Sequence, residues 1–297
     1  MQLSPLVFDR YVAPARLRPQ IWRLVLGLGV LLAIYLGWIA GMFALVGVIA
    51  RSTMVEGDMG PVGTGSTPGG LILLLLTFVG MALGTFAAVR LVHKRSIASL
   101  FGPRKVLIRD FGVASGIFAL VALPGLIWSL TALELSPGVG LSVWLLFLPL
   151  AIGGLLIQTG AEELVFRGYL QQQLAARFAS RWMWMVLPSV VFGLVHYSPE
   201  QLGPSLWPVM ATTGFFGLLM ADLTARSGSL GMAWGLHFTN NFLAMMIFTT
   251  GEALDGLALY RMPFGISDTE RVLPLLGVDV MGMIVVWAIG CWYLRGR

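Results

Sequence analysis

Long apolar runs alternate with short polar segments along this chain, and the pattern predicts helices that cross a membrane. A helix needs about 20 predominantly apolar residues to span the hydrocarbon core of a bilayer. About eight runs approach this length, at 24–50, 71–89, 111–133, 141–180, 182–197, 206–222, 228–248 and 273–294. The sequence therefore predicts an all-α polytopic membrane protein, a bundle of about eight transmembrane helices.

The fourth run differs from the others because its second half is amphipathic. Apolar side chains there recur at every fourth position, at Phe166, Leu170, Leu174 and Phe178, and arginine and glutamine residues occupy the other faces. This spacing is typical of a helix with one apolar face. We therefore expect a long, partly amphipathic fourth helix that turns near Ser180.

Charge orients the predicted bundle and limits its partners. Charged residues make up 11% of the 297 residues, far below the roughly 25% of a soluble domain. Basic residues concentrate before the first run and in 90–109, which the positive-inside rule places in the cytoplasm. We expect an integral protein of the bacterial cytoplasmic membrane, with both termini cytoplasmic, the lipid bilayer as a partner and no nucleic acid.

The remaining loops follow from the same rule. The Gly-, Ser-, Thr- and Pro-rich stretch 51–70 predicts a flexible external loop, and the acidic stretch 251–271 predicts another. His93 lies beside Lys94 and Arg95 in the basic loop, which favours a solvated or headgroup position. No repeat or second domain is visible, so residues 1–297 form a single predicted membrane domain.

Candidate chemistry begins with two adjacent carboxylates in the fourth run. A charged side chain near the bilayer centre costs about 2.5 to 3.5 kcal/mol on insertion scales, so Glu162 and Glu163 indicate a functional site. Glu163 and Arg167 are one helical turn apart and share a face, which predicts an ion pair. Glu162 is rotated by about 100° and remains available.

Two histidines can reach the same level as the glutamates. If the fourth and fifth runs form a hairpin turning near Ser180, Glu162 and His196 lie within about 3 Å of one level. Phe192 precedes His196 by one turn, and His237 shares a helix face with Asn241. We therefore expect Glu162 to face His196 in a water-filled cavity that opens to the cytoplasm. A carboxylate and a histidine can activate water, and a second histidine with an amide can stabilise an oxyanion.

These residues, in this order, resemble a known family. Glu162-Glu163-x-x-Phe166-Arg167-Gly168, Phe192-x-x-x-His196 and His237-x-x-x-Asn241 are similar to the three motifs of the CAAX protease and bacteriocin-processing (CPBP) family, related to the type II CAAX prenyl endopeptidase. The resemblance covers about residues 140–250, which makes this segment the expected catalytic core and leaves 1–135 as accessory spans.

The resemblance implies a membrane-embedded endopeptidase with a peptide or protein substrate. It implies that Glu162 and His196 activate water and that His237 and Asn241 form the oxyanion site. Glu163, Arg167 and the nearby Phe192 would support them.

A metal ion is an open alternative for this site. Catalytic zinc commonly takes three nitrogen or oxygen ligands and keeps one position open, and Glu162, His196 and His237 would be those ligands. Against this, the chain has no His-Glu-x-x-His helix, and Arg167 would oppose a divalent cation. We expect no cofactor and keep zinc as the alternative.

Two other functions fit part of the pattern. A proton-coupled transporter could use Glu162 and His196 as a proton relay, although the first half of the chain offers no matching polar helix of the kind transporters have. A non-catalytic relative acting as a self-immunity factor or scaffold is a second alternative. Outside the site, Asp222 and Arg226 predict an ion pair at a helix end, and Asp279 has no partner that the sequence identifies.

Overall fold

The computed structural model describes residues 5–52, 63–251 and 253–295, and most of them lie in nine helices. In chain order, α1 to α9 are Pro5–Arg16, Ile21–Ser52, Pro68–Val92, Arg104–Ala132, Leu141–Arg177, Trp182–Leu194, Leu206–Ser227, Gly231–Phe242 and Thr269–Leu294. Short helical turns occur at Ile97–Leu100, Pro199–Leu202 and Gly203–Ser205, and a π turn at Leu243–Ile247 extends α8. The all-α polytopic prediction is confirmed.

Among the described residues, six helices have the length and composition to cross a membrane: α2, α3, α4, α5, α9, and α7 together with the turns before it. The predicted fifth and seventh spans correspond to α6 and α8, which are shorter. At about 1.5 Å per residue, Trp182–Leu194 is about 20 Å long, less than a hydrocarbon core of about 30 Å. The predicted seventh span contains polar side chains that reduce its hydropathy.

The long fourth span is present as one uninterrupted helix. α5 runs over 37 residues, about 55 Å at the standard rise. Its segment Leu164–Gln171 is wound as a π-helix, directly after the two glutamates. The predicted turn near Ser180 lies between the end of α5 and the start of α6. π-helical segments are frequent at functional sites.

Parts of the two predicted external loops are ordered. α2 continues to Ser52, and α3 begins at Pro68 with the hydroxyl of Thr67 accepting a hydrogen bond from the Gly70 amide. Residues 53–62 of the predicted loop lie outside the described residues. Three two-residue strands join the other loops: β1 (Ser136–Pro137) is antiparallel to β3 (Tyr260–Arg261), which is parallel to β2 (Phe248–Thr249).

Glycines bring α8 close to α4 and so fix one wall of the site. A Cβ atom at Gly231 would lie 2.5 Å from the carbonyl oxygen of Leu107, and one at Gly235 would collide with the backbone of Phe111. Only glycine permits this backbone contact, which small residues provide between membrane helices. α8 is therefore held against α4 with His237 on its buried face.

The basic loop before α4 is buried where it meets α5, and the expectation of a solvated His93 is wrong. The His93 side chain is 2% exposed. Its Nε2 lies 2.8 Å from the Tyr169 hydroxyl, and its Nδ1 accepts a hydrogen bond of 2.8 Å from Gln173 Nε2. Burial and the neighbouring Arg95 lower the pKa of His93 to about 4. The loop folds back onto the amphipathic half of α5, which the charge pattern did not indicate.

Arg95 lies in the same buried region. It is 5% exposed, and its NH1 donates a hydrogen bond of 2.5 Å to Gln172 Oε1. Its Nε and NH2 atoms are buried without a hydrogen-bond partner among the described residues. Desolvation lowers the pKa of Arg95 to about 10. We call these five residues the loop network: His93, Arg95, Tyr169, Gln172 and Gln173.

Two carboxylates outside the predicted site, Asp222 and Asp279, differ in their contacts. Asp222 and Arg226 form the predicted ion pair, with Arg226 Nε 2.5 Å from Asp222 Oδ2. Trp287 Nε1 donates a further hydrogen bond of 2.9 Å to that oxygen, which ties α9 to α7. Asp279 is exposed on α9 and makes no hydrogen bond or ion pair within the described chain.

Candidate active site

Glu163 is the most buried charged group of the predicted site. Its side chain has no exposed surface, and its Oε1 accepts hydrogen bonds from Arg167 NH1 at 2.9 Å and from His237 Nδ1 at 2.8 Å. The predicted ion pair between Glu163 and Arg167 is therefore present. A buried carboxylate needs such partners because desolvation of an unpaired charge costs several kcal/mol.

Arg167 is held by three further contacts besides Glu163. Its NH2 donates a hydrogen bond of 3.3 Å to the Gly217 carbonyl oxygen. Its guanidinium carbon lies 4.6 Å from the centroid of the Phe192 ring and 5.9 Å from that of Phe166. Cation–π contacts of this kind favour a desolvated guanidinium. Phe192 thus supports the ion pair, as its place in the predicted site suggested.

Glu162 projects from the adjacent face of α5 and keeps one oxygen free. Its Oε1 accepts a hydrogen bond of 2.8 Å from Gln158 Nε2. Its Oε2 is buried, accepts no hydrogen bond from the described residues and lies 3.5 Å from His237 Nε2. Glu163 Oε2 is likewise buried without such a bond, but the Glu163 carboxylate is already held through Oε1 by two donors, whereas Glu162 is held by one.

The two nitrogens of His237 contact different glutamates, which constrains its proton. Nδ1 carries a hydrogen because it donates to the carboxylate of Glu163. A neutral ring would then turn the lone pair of Nε2 toward Glu162 Oε2, and two lone pairs repel. A proton on His237 Nε2 or on Glu162 removes this repulsion. The pair is therefore suited to hold one proton that moves between them.

Asn241 joins the site through Gln158, a residue that the sequence analysis did not single out. Asn241 Nδ2 donates a hydrogen bond of 2.9 Å to Gln158 Oε1. Gln158 is one turn before Glu162 on α5 and is 5% exposed. A polar side chain one turn from Glu162 within an apolar run was the signal available in the sequence. We call the following six residues the site network: Gln158, Glu162, Glu163, Arg167, His237 and Asn241.

His196 lies in the turn after α6, is half-buried and packs against Phe192. Its Nδ1 donates a hydrogen bond of 2.7 Å to the carbonyl oxygen of Phe192, which leaves the lone pair of the neutral ring on Nε2. The Phe192 ring contacts both histidines, with ring centroids 5.1 Å from His196 and 6.0 Å from His237. No hydrogen bond or ion pair joins His196 to Glu162 in the described chain. α6 ends at Leu194 and His196 follows in a turn, so the expectation that His196 faces Glu162 across water stays a prediction.

The ligand set considered for zinc is not gathered in this geometry. Glu162 and His237 lie together, whereas His196 makes no hydrogen bond or ion pair with either of them in the described chain. Within 5–52, 63–251 and 253–295, no group of three or more His, Cys, Asp or Glu side chains is arranged to hold a metal ion.

Comparisons with known proteins bear on the same segment. Residues 140–243 match the family model described as "Type II CAAX prenyl endopeptidase Rce1-like". The chain is also 24% identical over 289 residues to the uncharacterized protein YyaK of Bacillus subtilis (strain 168), an alignment that covers 94% of this chain and 96% of that protein. No solved structure matches the chain. Over residues 140–243 the chain therefore matches the type II CAAX prenyl endopeptidase Rce1-like family, as its three motifs predict.

Proposed function

We propose that this protein is an intramembrane endopeptidase that hydrolyses a peptide bond with water activated by Glu162. The observation that carries the proposal is the carboxylate oxygen Oε2 of Glu162, which is buried 3.5 Å from His237 Nε2 without a hydrogen bond from the described residues, beside a second glutamate that is held through its Oε1 by Arg167 and His237. General bases and acids of this type contribute about 10²- to 10⁴-fold to a reaction rate. The Rce1-like match over 140–243 supports the same reaction class.

The reaction uses the residues in separate roles. Glu162 takes a proton from water, and the resulting hydroxide attacks the carbonyl carbon of the scissile bond. The protonated His237 ring and the Asn241 amide donate hydrogen bonds to the oxyanion of the tetrahedral intermediate. Collapse of the intermediate breaks the C–N bond, and the proton held by Glu162 passes to the leaving amine.

His196 acts from the open side of the site. Its ring is half-buried, and in the neutral ring the lone pair is on Nε2 because Nδ1 donates to the carbonyl oxygen of Phe192. We propose that bound substrate and water bring this nitrogen into the reaction, where it assists Glu162 in activating water. Glu163, Arg167 and Phe192 hold His237 in place and do not exchange protons with substrate.

The substrate is a peptide or protein at the membrane, in our proposal the bacterial cytoplasmic membrane with both chain termini on the cytoplasmic side. Prenylated peptides are one substrate class to test, because the matched family is described as a prenyl endopeptidase. Unlipidated peptides are the second class. No metal takes part in the proposed mechanism, and a chelator series decides this point: loss of cleavage with recovery on zinc return would establish a metalloenzyme.

The test compares two matched glutamate variants in proteoliposomes. Internally quenched peptides, one set with a prenylated cysteine and one without lipid, report cleavage. Glu162→Gln should lower the cleavage rate by about 10²- to 10⁴-fold. Glu200→Gln, which alters an exposed glutamate at a short helical turn, should leave it unchanged.

Full activity of Glu162→Gln would overturn the assignment. Counterflow of a solute that depends on Glu162, without any proteolysis, would instead identify a transporter. Absence of both activities in the wild type, with intact folding, would favour a scaffold or self-immunity role.

A further inference from the structure

Gln158 connects the carboxylate of Glu162 to the amide of Asn241. Its Nε2 lies 2.8 Å from Glu162 Oε1, and its Oε1 lies 2.9 Å from Asn241 Nδ2. Asn241 Oδ1 in turn accepts a hydrogen bond of 3.1 Å from Asn240 Nδ2. Gln158 is buried, so water does not compete for either contact.

The direction of this chain of hydrogen bonds is set by Glu162. An ionised carboxylate only accepts hydrogen bonds, so Gln158 must present its NH2 group to Glu162. The carbonyl oxygen of Gln158 then faces Asn241, which must present its own NH2 group. Asn241 therefore turns its carbonyl oxygen toward Asn240, and one N–H of its amide remains free.

From this geometry we infer that Gln158 is a positioning residue that orients both Glu162 and the Asn241 amide for catalysis. The inference rests on the proposed function, in which Asn241 donates to the oxyanion. Without Gln158, the Asn241 amide can rotate and present its oxygen, which would repel an oxyanion. Glu162 would also lose the hydrogen bond that fixes the plane of its carboxylate.

The composition of the chain allows a direct test of this orientation. Asn240 and Asn241 are the only two asparagines in the sequence. Protein labelled with [¹⁵N]asparagine in nanodiscs should therefore show two side-chain NH2 pairs in its NMR spectrum. Asn240→Ala removes one pair and assigns the other to Asn241.

The decisive variant is Gln158→Met, which keeps the length of the side chain but removes both hydrogen bonds. We expect the Asn241 NH2 pair to shift and its protons to exchange faster with solvent. Gln171→Met is the matched control, because Gln171 is also buried on α5 but donates to the Ala221 carbonyl oxygen outside the site. Gln171→Met should leave the NMR signals of both asparagine NH2 pairs unshifted.

Kinetics then separate a positioning role from a structural one. On the quenched peptide reporters in proteoliposomes, Gln158→Met should lower kcat by about 10- to 100-fold, the range for lost hydrogen bonds to a charged group. KM should change by less than about two-fold, because the interaction acts on the reacting groups rather than on substrate binding. Combined with Asn241→Ala, the substitution should cost less than the sum of the two single effects.

Each outcome has a distinct meaning. An unshifted Asn241 pair in Gln158→Met would overturn the hydrogen-bond chain itself. A shifted pair with unchanged kcat would overturn the positioning role while leaving the endopeptidase assignment intact. Full activity of Glu162→Gln would overturn the proposed function and the catalytic role of Gln158 with it, whereas the NMR result would still decide the orientation of Asn241.

Discussion

Two buried polar networks lie along α5, and they differ in charge. The site network contains two carboxylates, one guanidinium and His237, so its cation is paired. The loop network contains Arg95 and His93 with phenol and amide partners, and Arg95 has no ion pair within the described chain. All members of both networks are buried except Asn241, which is half-buried. Burial of polar groups alone therefore does not distinguish a reactive site from a structural one.

His93 of the loop network and His237 of the site network show how the two networks differ in charge. His93 receives a hydrogen bond from Gln173 and contacts the Tyr169 hydroxyl, and burial with a nearby arginine keeps its ring neutral. His237 contacts two carboxylates, with Nδ1 2.8 Å from Glu163 Oε1 and Nε2 3.5 Å from Glu162 Oε2. A ring held in one state is suited to structure, whereas a ring beside a free carboxylate oxygen can exchange a proton.

Arg167→Met should have the largest effect on stability. Removal of the guanidinium leaves Glu163 buried with His237 as its one remaining partner, and breaking a buried pair in this way costs about 3 to 5 kcal/mol. The free energy of unfolding in mixed micelles measures the loss. The double variant Glu163→Gln with Arg167→Met should recover part of the lost free energy of unfolding. A loss below about 1 kcal/mol in Arg167→Met would contradict the proposed difference between the two networks.

His93→Gln should remove a pH dependence that belongs to the loop network. The unfolded His93 ring takes a proton near its ordinary pKa of 6.5, whereas the folded ring does so only near about 4. Below the unfolded value the unfolded state binds more protons, so the wild type loses stability as pH falls from about 6.5 to about 4, by up to about 3 kcal/mol.

The measurement for His93 is the difference in unfolding free energy between wild type and variant across this pH range. Glutamine can keep a hydrogen bond in the network but does not titrate, so its stability should vary less with pH. Equal pH dependence in the two proteins would show that His93 is not held neutral by the fold. Peptidase activity at neutral pH should be the same in both.

Arg95→Met should have the smallest effect, within about 1 kcal/mol of the wild type. Its removal breaks the hydrogen bond to Gln172 but leaves no carboxylate unpaired, and it relieves the desolvation of a buried cation. The measurement is the free energy of unfolding of Arg95→Met in mixed micelles, compared with that of Arg167→Met under the same conditions. A loss as large as that of Arg167→Met would mean that charge pairing does not distinguish the two networks.

Much of the fold and part of the site could be predicted from particular residues. The glutamate and arginine one turn apart on an apolar helix predicted the ion pair of Glu163, because helix geometry alone brings such side chains together. Gln158 was equally close to Glu162 in sequence but was missed, because its partner Asn241 is distant in the chain. His93 was misjudged because the sequence does not reveal that its loop packs against α5.

Sequence by itself determined the properties that depend on composition and local spacing: the apolar helices, the long α5 with its amphipathic half, and the family motifs. Tertiary structure alone decided which groups meet. α8 approaches α4 through Gly231 and Gly235, which brings His237 into contact with both glutamates, and α6 ends before His196, which packs against Phe192. Such contacts depend on helix packing and helix length, and these arise from interactions between residues far apart in the chain.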